Sequence, residues 1–249
     1  MSDKQALLDL AHRLGDPGKG FALGGEGNIS MRLGEDMMSI KASGYALASI
    51  QAEHLVDVRI STLLDLLSRD PDDDETKAVY EASKIRPTDR VPSVEAILHA
   101  TLYEESEAQV IAHTHPIWVN SLTCSQQAGL LVTGSLFPEA IVMMGRRQLL
   151  IPYTDPGVPL ARAVRDDVRV FVNDEGIAPK VIYLANHGLF VLAGSTTEAL
   201  QVTEMTEKNA RILHGTLVAG GPNFLIPEHV KRIDRRPDEL YRRGKLTAE

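Results

Sequence analysis

Apolar positions in this chain switch repeatedly between helical and extended spacing. Leu7, Leu10, Ala11 and Leu14 recur three and four apart, which predicts an amphipathic helix over 3–14 with His12 on its outer side. Gly15 to Gly20, with Pro17, ends it. A glycine-rich turn then leads into a strand around Ile29, and Met37 to Ile40 and Leu55 to Ile60 read as two more strands. Ser61 to Leu67 predicts a helix that buries Leu63, Leu64, Leu66 and Leu67. The acidic run from Asp70 to Glu75 reads as a solvated loop, and Thr76 to Ser83 as a helix that Pro87 terminates.

The stretch from Pro92 to Pro116 is the centre of the pattern. Ser93 is a suitable N-cap for a helix with Val94, Ile97, Leu98, Thr101 and Leu102 on one face, and Glu95 and His99 share another. Gln109 to His115 reads as a short buried strand. Further on, helices are expected over Trp118 to Cys124 and about 160–172, a helical turn at Phe137, and strands over Gln148 to Ile151 and Val181 to Leu184. A last helix, capped by one of Ser195, Thr196 and Thr197, runs to about His214. Short strands mixed with helices predict an α/β protein with a largely antiparallel central sheet flanked by helices. Residues 1–220 are expected to form one domain. The charged, proline-interrupted tail 221–249 should lie on a neighbouring subunit or be partly disordered.

Composition narrows the function classes. At 249 residues and 43% hydrophobic, the chain can bury a sizeable core. No apolar run approaches the ~18 residues of a membrane span and no signal peptide is evident, which points to a cytoplasmic protein away from membranes. A formal charge of −8 argues against nucleic acid as a partner. The single cysteine, Cys124, rules out an internal disulfide and reads as a buried filler.

The candidate chemistry lies in the histidines. A strand sends residues i and i+2 to one side, so His113 and His115 project together as half of a metal site. His187 sits at a second strand end, before Gly188. Three histidines with an open position match a catalytic metal. The glycines from Gly24 to Gly27 fit neither the dinucleotide fingerprint nor the P-loop. Two readings of that turn stand: a simple hairpin, or an anion cup made by the N–H groups around Gly27 with Asn28 and Ser30. The turn from Lys41 through Ser43 and Gly44 offers an ammonium, a hydroxyl and an amide, which with Ser93 would surround a phosphate or carboxylate.

Glu95 to His99, His113-Thr114-His115-Pro116 and Asn186-His187-Gly188 with Gly194 behind it resemble the metal-site motifs of the class II aldolase/adducin family. Gly27-Asn28-Ile29-Ser30 and Ala42-Ser43-Gly44 resemble its phosphate-binding turns, so that the resemblance covers roughly residues 20 to 215. It implies a three-layer α/β/α fold and Zn2+, or another divalent transition metal, on His113, His115 and His187. It also implies a homotetramer and a small anionic sugar-type substrate. The implied reaction is aldolase chemistry: retro-aldol cleavage of a phosphorylated ketose or sugar acid through a metal-stabilised enediolate. Glu95 would be the proton shuttle, its pKa raised by partial burial, or a fourth ligand. A sugar-phosphate 4-epimerase, a decarboxylase, a dehydratase or a non-catalytic adducin-like scaffold are the alternatives. The chain departs from the family pattern at Lys41-Ala42, where Thr-Pro is usual, and at Val94, where a second serine is usual. The family's cross-subunit tyrosine acid corresponds to Gly134 here; Thr133, Ser135, Glu139 and Tyr241 are the candidate substitutes.

Overall fold

A computed structural model describes residues 3–239, 241 and 244. Helix α1 (Asp3–Leu14) buries the four residues its spacing selects, and β1 (Asn28–Arg32), β2 (Met37–Lys41) and β3 (Leu55–Arg59) form an antiparallel meander. Helix α2 (Ile60–Leu64) tightens into a 3-10 turn over Asp65–Ser68. That change of winding leaves Leu63 and Leu66 buried but Leu64 and Leu67 only half covered.

Helix α3 (Asp73–Ser83) starts inside the acidic run expected to be a loop. The Asp72 carboxylate accepts the Glu75 N–H at 2.8 Å and the Glu75 carboxylate accepts the Asp72 N–H at 3.2 Å. This capping box places three acids in the first turn, where the helix dipole favours them. Helix α4 (Ala96–Glu104) begins later than expected: Glu95, not Ser93, holds the N-cap position. Ser93 is held by its N–H to the Lys41 carbonyl at 2.9 Å, in a bridge that pairs Pro92 with Ala42. The preceding residues are thus extended, and Val94 is 68% exposed rather than on the buried face.

The remaining elements are β4 (Val110–Thr114), α5 (Ile117–Thr123), α6 (Pro138–Met144), β5 (Leu149–Ile151), α7 (Val158–Glu175), β6 (Val181–Leu184), β7 (Gly188–Ala193), α8 (Thr196–Val218) and α9 (Pro227–Asp234). Ser195 caps α8, its hydroxyl accepting the Glu198 N–H at 3.1 Å. Cys124 ends α5 exposed to solvent: the buried positions beside it are Leu122 and Thr123. After Gly220 the chain packs on itself, with Leu225, Val230 and Ile233 against Ile141 and Val142 of α6.

The seven strands form one sheet in the order β3-β2-β1-β4-β7-β6-β5, antiparallel except for β5 and β6. Alternation along the strands feeds two cores. Met38, Ile40, Ile111 and Phe190 face α2, α4 and α7, while Ile29, Ala112 and Val191 face α1, α5 and α8. The expected three-layer α/β/α arrangement is what forms. Because β4 and β6 both run antiparallel to β7, and β1 runs antiparallel to β4, one end of the sheet gathers the starts of β1 and β7 and the ends of β2, β4 and β6.

Candidate metal centre

At that end the three histidines meet. His113 is the penultimate residue of β4, His115 lies just past its end, and His187 sits in the tight turn from β6 to β7. One nitrogen from each ring lies within 4.8 Å of the others, and the Nε2 atoms of His113 and His115 are 3.0 Å apart. The Leu189 carbonyl can only accept, so His113 donates to it from Nδ1 at 3.0 Å and its Nε2 lone pair faces the cluster.

Backbone restrictions make this convergence possible. A Cβ on Gly188 would meet His115 Cδ2 at 2.6 Å and the Thr114 carbonyl at 2.7 Å, so only glycine lets β7 begin against the imidazoles. Asn186 adopts φ 56° to turn the chain, and the Asn120 amide donates to the His187 carbonyl at 3.0 Å. Asn120 carried no signal in the sequence; it is one polar residue on an otherwise ordinary helix.

Glu95 bridges two of the rings. Its Oε2 is 3.3 Å from His113 Nε2 and its Oε1 3.2 Å from His187 Nε2, while Asn28 Nδ2 donates to Oε2 at 2.6 Å. Burial pushes the Glu95 carboxyl up, but the imidazoles of His113 and His187 and the Asn28 amide more than reverse this and hold it below the usual carboxylate range. The expected raised pKa is therefore corrected: the resting group is an ionised carboxylate. Burial pushes His113 down to about 3 and lowers His115 as well, so both rings are neutral at neutral pH, the form that ligates a metal. Three imidazoles with convergent nitrogens and one carboxylate fit a divalent transition metal.

The expected anion-binding residues divide into two sets. Ser43 and Ser93 are drawn together by the bridge between 42 and 92, with the Ser43 N–H on the Val91 carbonyl at 3.0 Å and the open Gly44 at φ 82° beside them. Lys41 Nζ donates to the carbonyls of Gly25 and Tyr45 at 3.2 and 2.5 Å, which ties the two turns to each other. Burial lowers its pKa to about 8, opposed by the charge of Glu95. Asn28 and Ser30 instead turn their side chains inward: Asn28 Oδ1 lies 2.5 Å from His99 Nε2, and Ser30 Oγ 2.6 Å from His99 Nδ1. Gly27, at φ 67°, serves close approach, since a Cβ there would meet the His113 carbonyl at 2.8 Å. Gly134 lies close under Phe224: a Cβ there would be 3.1 Å from Phe224 Cβ and Cγ, so that Phe224 would have to shift. Thr133 and Glu139 are exposed, Ser135 is buried with its carbonyl on the Leu225 N–H at 2.9 Å, and Tyr241 is 68% exposed.

A largely antiparallel sheet lies between two helical layers, and the three histidines and a carboxylate gathered at one end of it form a group that could hold a metal ion. The chain belongs to the class II aldolase and adducin family, whose N-terminal domain model matches residues 5–214. A 3-oxo-tetronate 4-phosphate decarboxylase of Haemophilus influenzae is 24% identical over 237 residues, covering 95% of this chain and 98% of that protein. Among solved structures, an L-fuculose 1-phosphate aldolase shares the fold with a TM-score of 0.70 and 19% identity, covering 94% of this chain and 96% of that one. The N-terminal class II aldolase domain of a conserved Thermoplasma acidophilum protein does so with a TM-score of 0.67 and 23% identity, over 85% and 93% of the two chains. Among the described residues no helix is long and apolar enough to cross a membrane.

Proposed function

We propose that this protein is a metal-dependent carbon–carbon lyase of short phosphorylated sugar acids, and that it decarboxylates a 3-oxo acid phosphate rather than cleaving a ketose by retro-aldol chemistry. The observation that carries the lyase reading is Glu95, with one carboxylate oxygen against His113 and the other against His187. His113, His115 and His187 would hold Zn2+, which supplies a Lewis acid for the substrate's carbonyl and neighbouring hydroxyl. Lys41, Ser43, Gly44 and Ser93, with the backbone at Gly27, would hold the phosphate. In a 3-oxo acid the bond from C1 to C2 breaks, CO2 leaves, and the electron pair on C2 spreads onto the C3 oxygen. Glu95, ionised at rest, takes the proton of the C2 hydroxyl and returns it to C2; the oxygen regains a proton from water. The product is a phosphorylated dihydroxyacetone.

Two observations favour decarboxylation over retro-aldol cleavage. Retro-aldol chemistry needs a proton-transfer group on the carbinol oxygen of the departing aldehyde, and Gly134, at the position of the family tyrosine, is packed beneath Phe224. Departing CO2 carries no proton. The full-length likeness to a protein named for 3-oxo-tetronate 4-phosphate decarboxylation agrees. The test is to incubate zinc-loaded protein with 3-oxo-tetronate 4-phosphate and, separately, with fuculose and rhamnulose 1-phosphates. CO2 release from the first without aldehyde from the others is expected. Aldehyde without CO2 would return the reading to an aldolase.

A further inference from the structure

Behind Glu95 lies a chain of buried polar groups that the proposed reaction does not use directly. Asn28, Ser30, His99 and Tyr103 are 3%, 0%, 0% and 2% exposed. The sense of every hydrogen bond among them follows from the Asn28 amide, whose nitrogen faces Glu95 and whose oxygen faces His99. The Asn28 NH2 group donates to Glu95 Oε2 at 2.6 Å. The Asn28 oxygen then faces His99 Nε2 at 2.5 Å, which must carry its proton. Burial pushes His99 down to about 3, so the ring is neutral and has a single N–H. Its Nδ1 therefore accepts the Ser30 hydroxyl at 2.6 Å, and the Ser30 oxygen accepts the Tyr103 hydroxyl at 2.9 Å.

We propose that His99, fixed in its Nε2–H tautomer by the Ser30 and Tyr103 hydroxyls, is a positioning residue that sets the direction of the Asn28 amide and thereby holds Glu95 in place between His113 and His187. The other tautomer would put a lone pair against the Asn28 oxygen. The amide would then turn over, and Glu95 Oε2 would lose the N–H donor it now has at 2.6 Å. The tautomer is thus read out at Glu95, two hydrogen bonds away. The inference rests on the reading of Glu95 as the proton-carrying group. It also gives the Asn28 side chain a role other than anion binding.

The test compares His99→Leu, which removes the donor, with His99→Gln, whose terminal NH2 can replace it. In zinc-loaded His99→Leu we expect about one metal per chain and a KM within about twofold of wild type, while kcat falls ~10²-fold or more. His99→Gln should recover at least ~10-fold of that loss. A KM effect without a kcat effect, or no recovery in a folded His99→Gln, overturns the proposal. Two readouts do not depend on turnover. Nitrogen-15 NMR of the wild type should show His99 protonated at Nε2 alone, and the Asn28 NH2 protons should be protected from exchange in the wild type and lose that protection in His99→Leu. An Nδ1–H ring, or unchanged protection, overturns the proposal whatever the substrate proves to be. Wild-type protein that passes both but turns over neither class of substrate refutes the lyase reading and leaves the positioning role standing. If His99→Leu does not fold, Ser30→Ala serves: it should mix the two tautomers and lower kcat, and an unchanged tautomer overturns the proposal.

Discussion

Glu95 carries its chemistry by position, since its two oxygens touch different ligand rings and its third partner is an amide fixed from behind. Glu95→Gln keeps the shape and removes the titratable proton. It should leave metal and substrate binding intact, measured by metal analysis and calorimetry, and lower kcat by ~10²-fold or more. Lys41 gives a pH signature of known sign. Its pKa of about 8 lies below the ordinary lysine value of 10.5, so the free enzyme loses the ammonium as pH rises through about 8. KM for a phosphorylated substrate should therefore rise above pH 8 in wild type and stay high and flat in Lys41→Met. A bound dianion favours the ammonium, so kcat should bend at higher pH than kcat/KM. Stability moves the other way: between about 8 and 10.5 the unfolded chain holds the proton that the folded one has shed, so for this group alone stability rises with pH across that window. A KM flat from pH 7 to 10 would remove Lys41 from the anion site.

At the scale of elements, the turn from β6 to β7 is the tightest constraint. Gly188→Ala puts a methyl into His115 and the Thr114 carbonyl, so β7 must shift. The expected result is a folded protein destabilised by about 1–3 kcal/mol whose metal affinity drops at least tenfold, checked by denaturant melts and metal titration. Unchanged affinity would mean the turn tolerates a side chain. The periodicity of the sequence located these elements well, because strand alternation at 110–115 and helical spacing at 3–14 both answer to one buried face. It located the histidine cluster for the same reason: the i, i+2 rule fixes His113 and His115 on one side. It missed the capping box of α3, where charge suggested solvent but side-chain reach to the backbone decided the structure. It also placed the start of α4 too early, since a long-range bridge to residue 42 holds Ser93 extended. The relay through His99 was half visible: residues 95, 99 and 103 share a spacing of four, but Ser30 comes from a strand that no local pattern could bring to them.

At the scale of the whole molecule, Leu23, Val94, Ile117 and Tyr153 are 47%, 68%, 56% and 60% exposed at the histidine-bearing end of the sheet, Ile117 at the start of α5 and the others in loops or turns. A homotetramer that covers this rim is the expected assembly. Light scattering on the purified protein should give a four-chain mass, lowered by the double variant Val94→Glu and Ile117→Glu. A monomeric wild type would refute it.

The hydrogen bonds that build the site join partners far apart in the chain: Asn28 to Glu95 spans 67 residues, His113 to Leu189 spans 76, and Asn120 to His187 spans 67. No local segment contains a ligand set, so the centre cannot form until β1, β4 and β7 have paired, a non-local step that carries its loop-closure cost before any reward. On the ribosome the imidazole of His187 is synthesised long after those of His113 and His115. A metal held by all three imidazoles would therefore bind only after β7 has paired with β4. In refolding with cobalt, the visible absorption band should appear at the rate of sheet formation and never ahead of it.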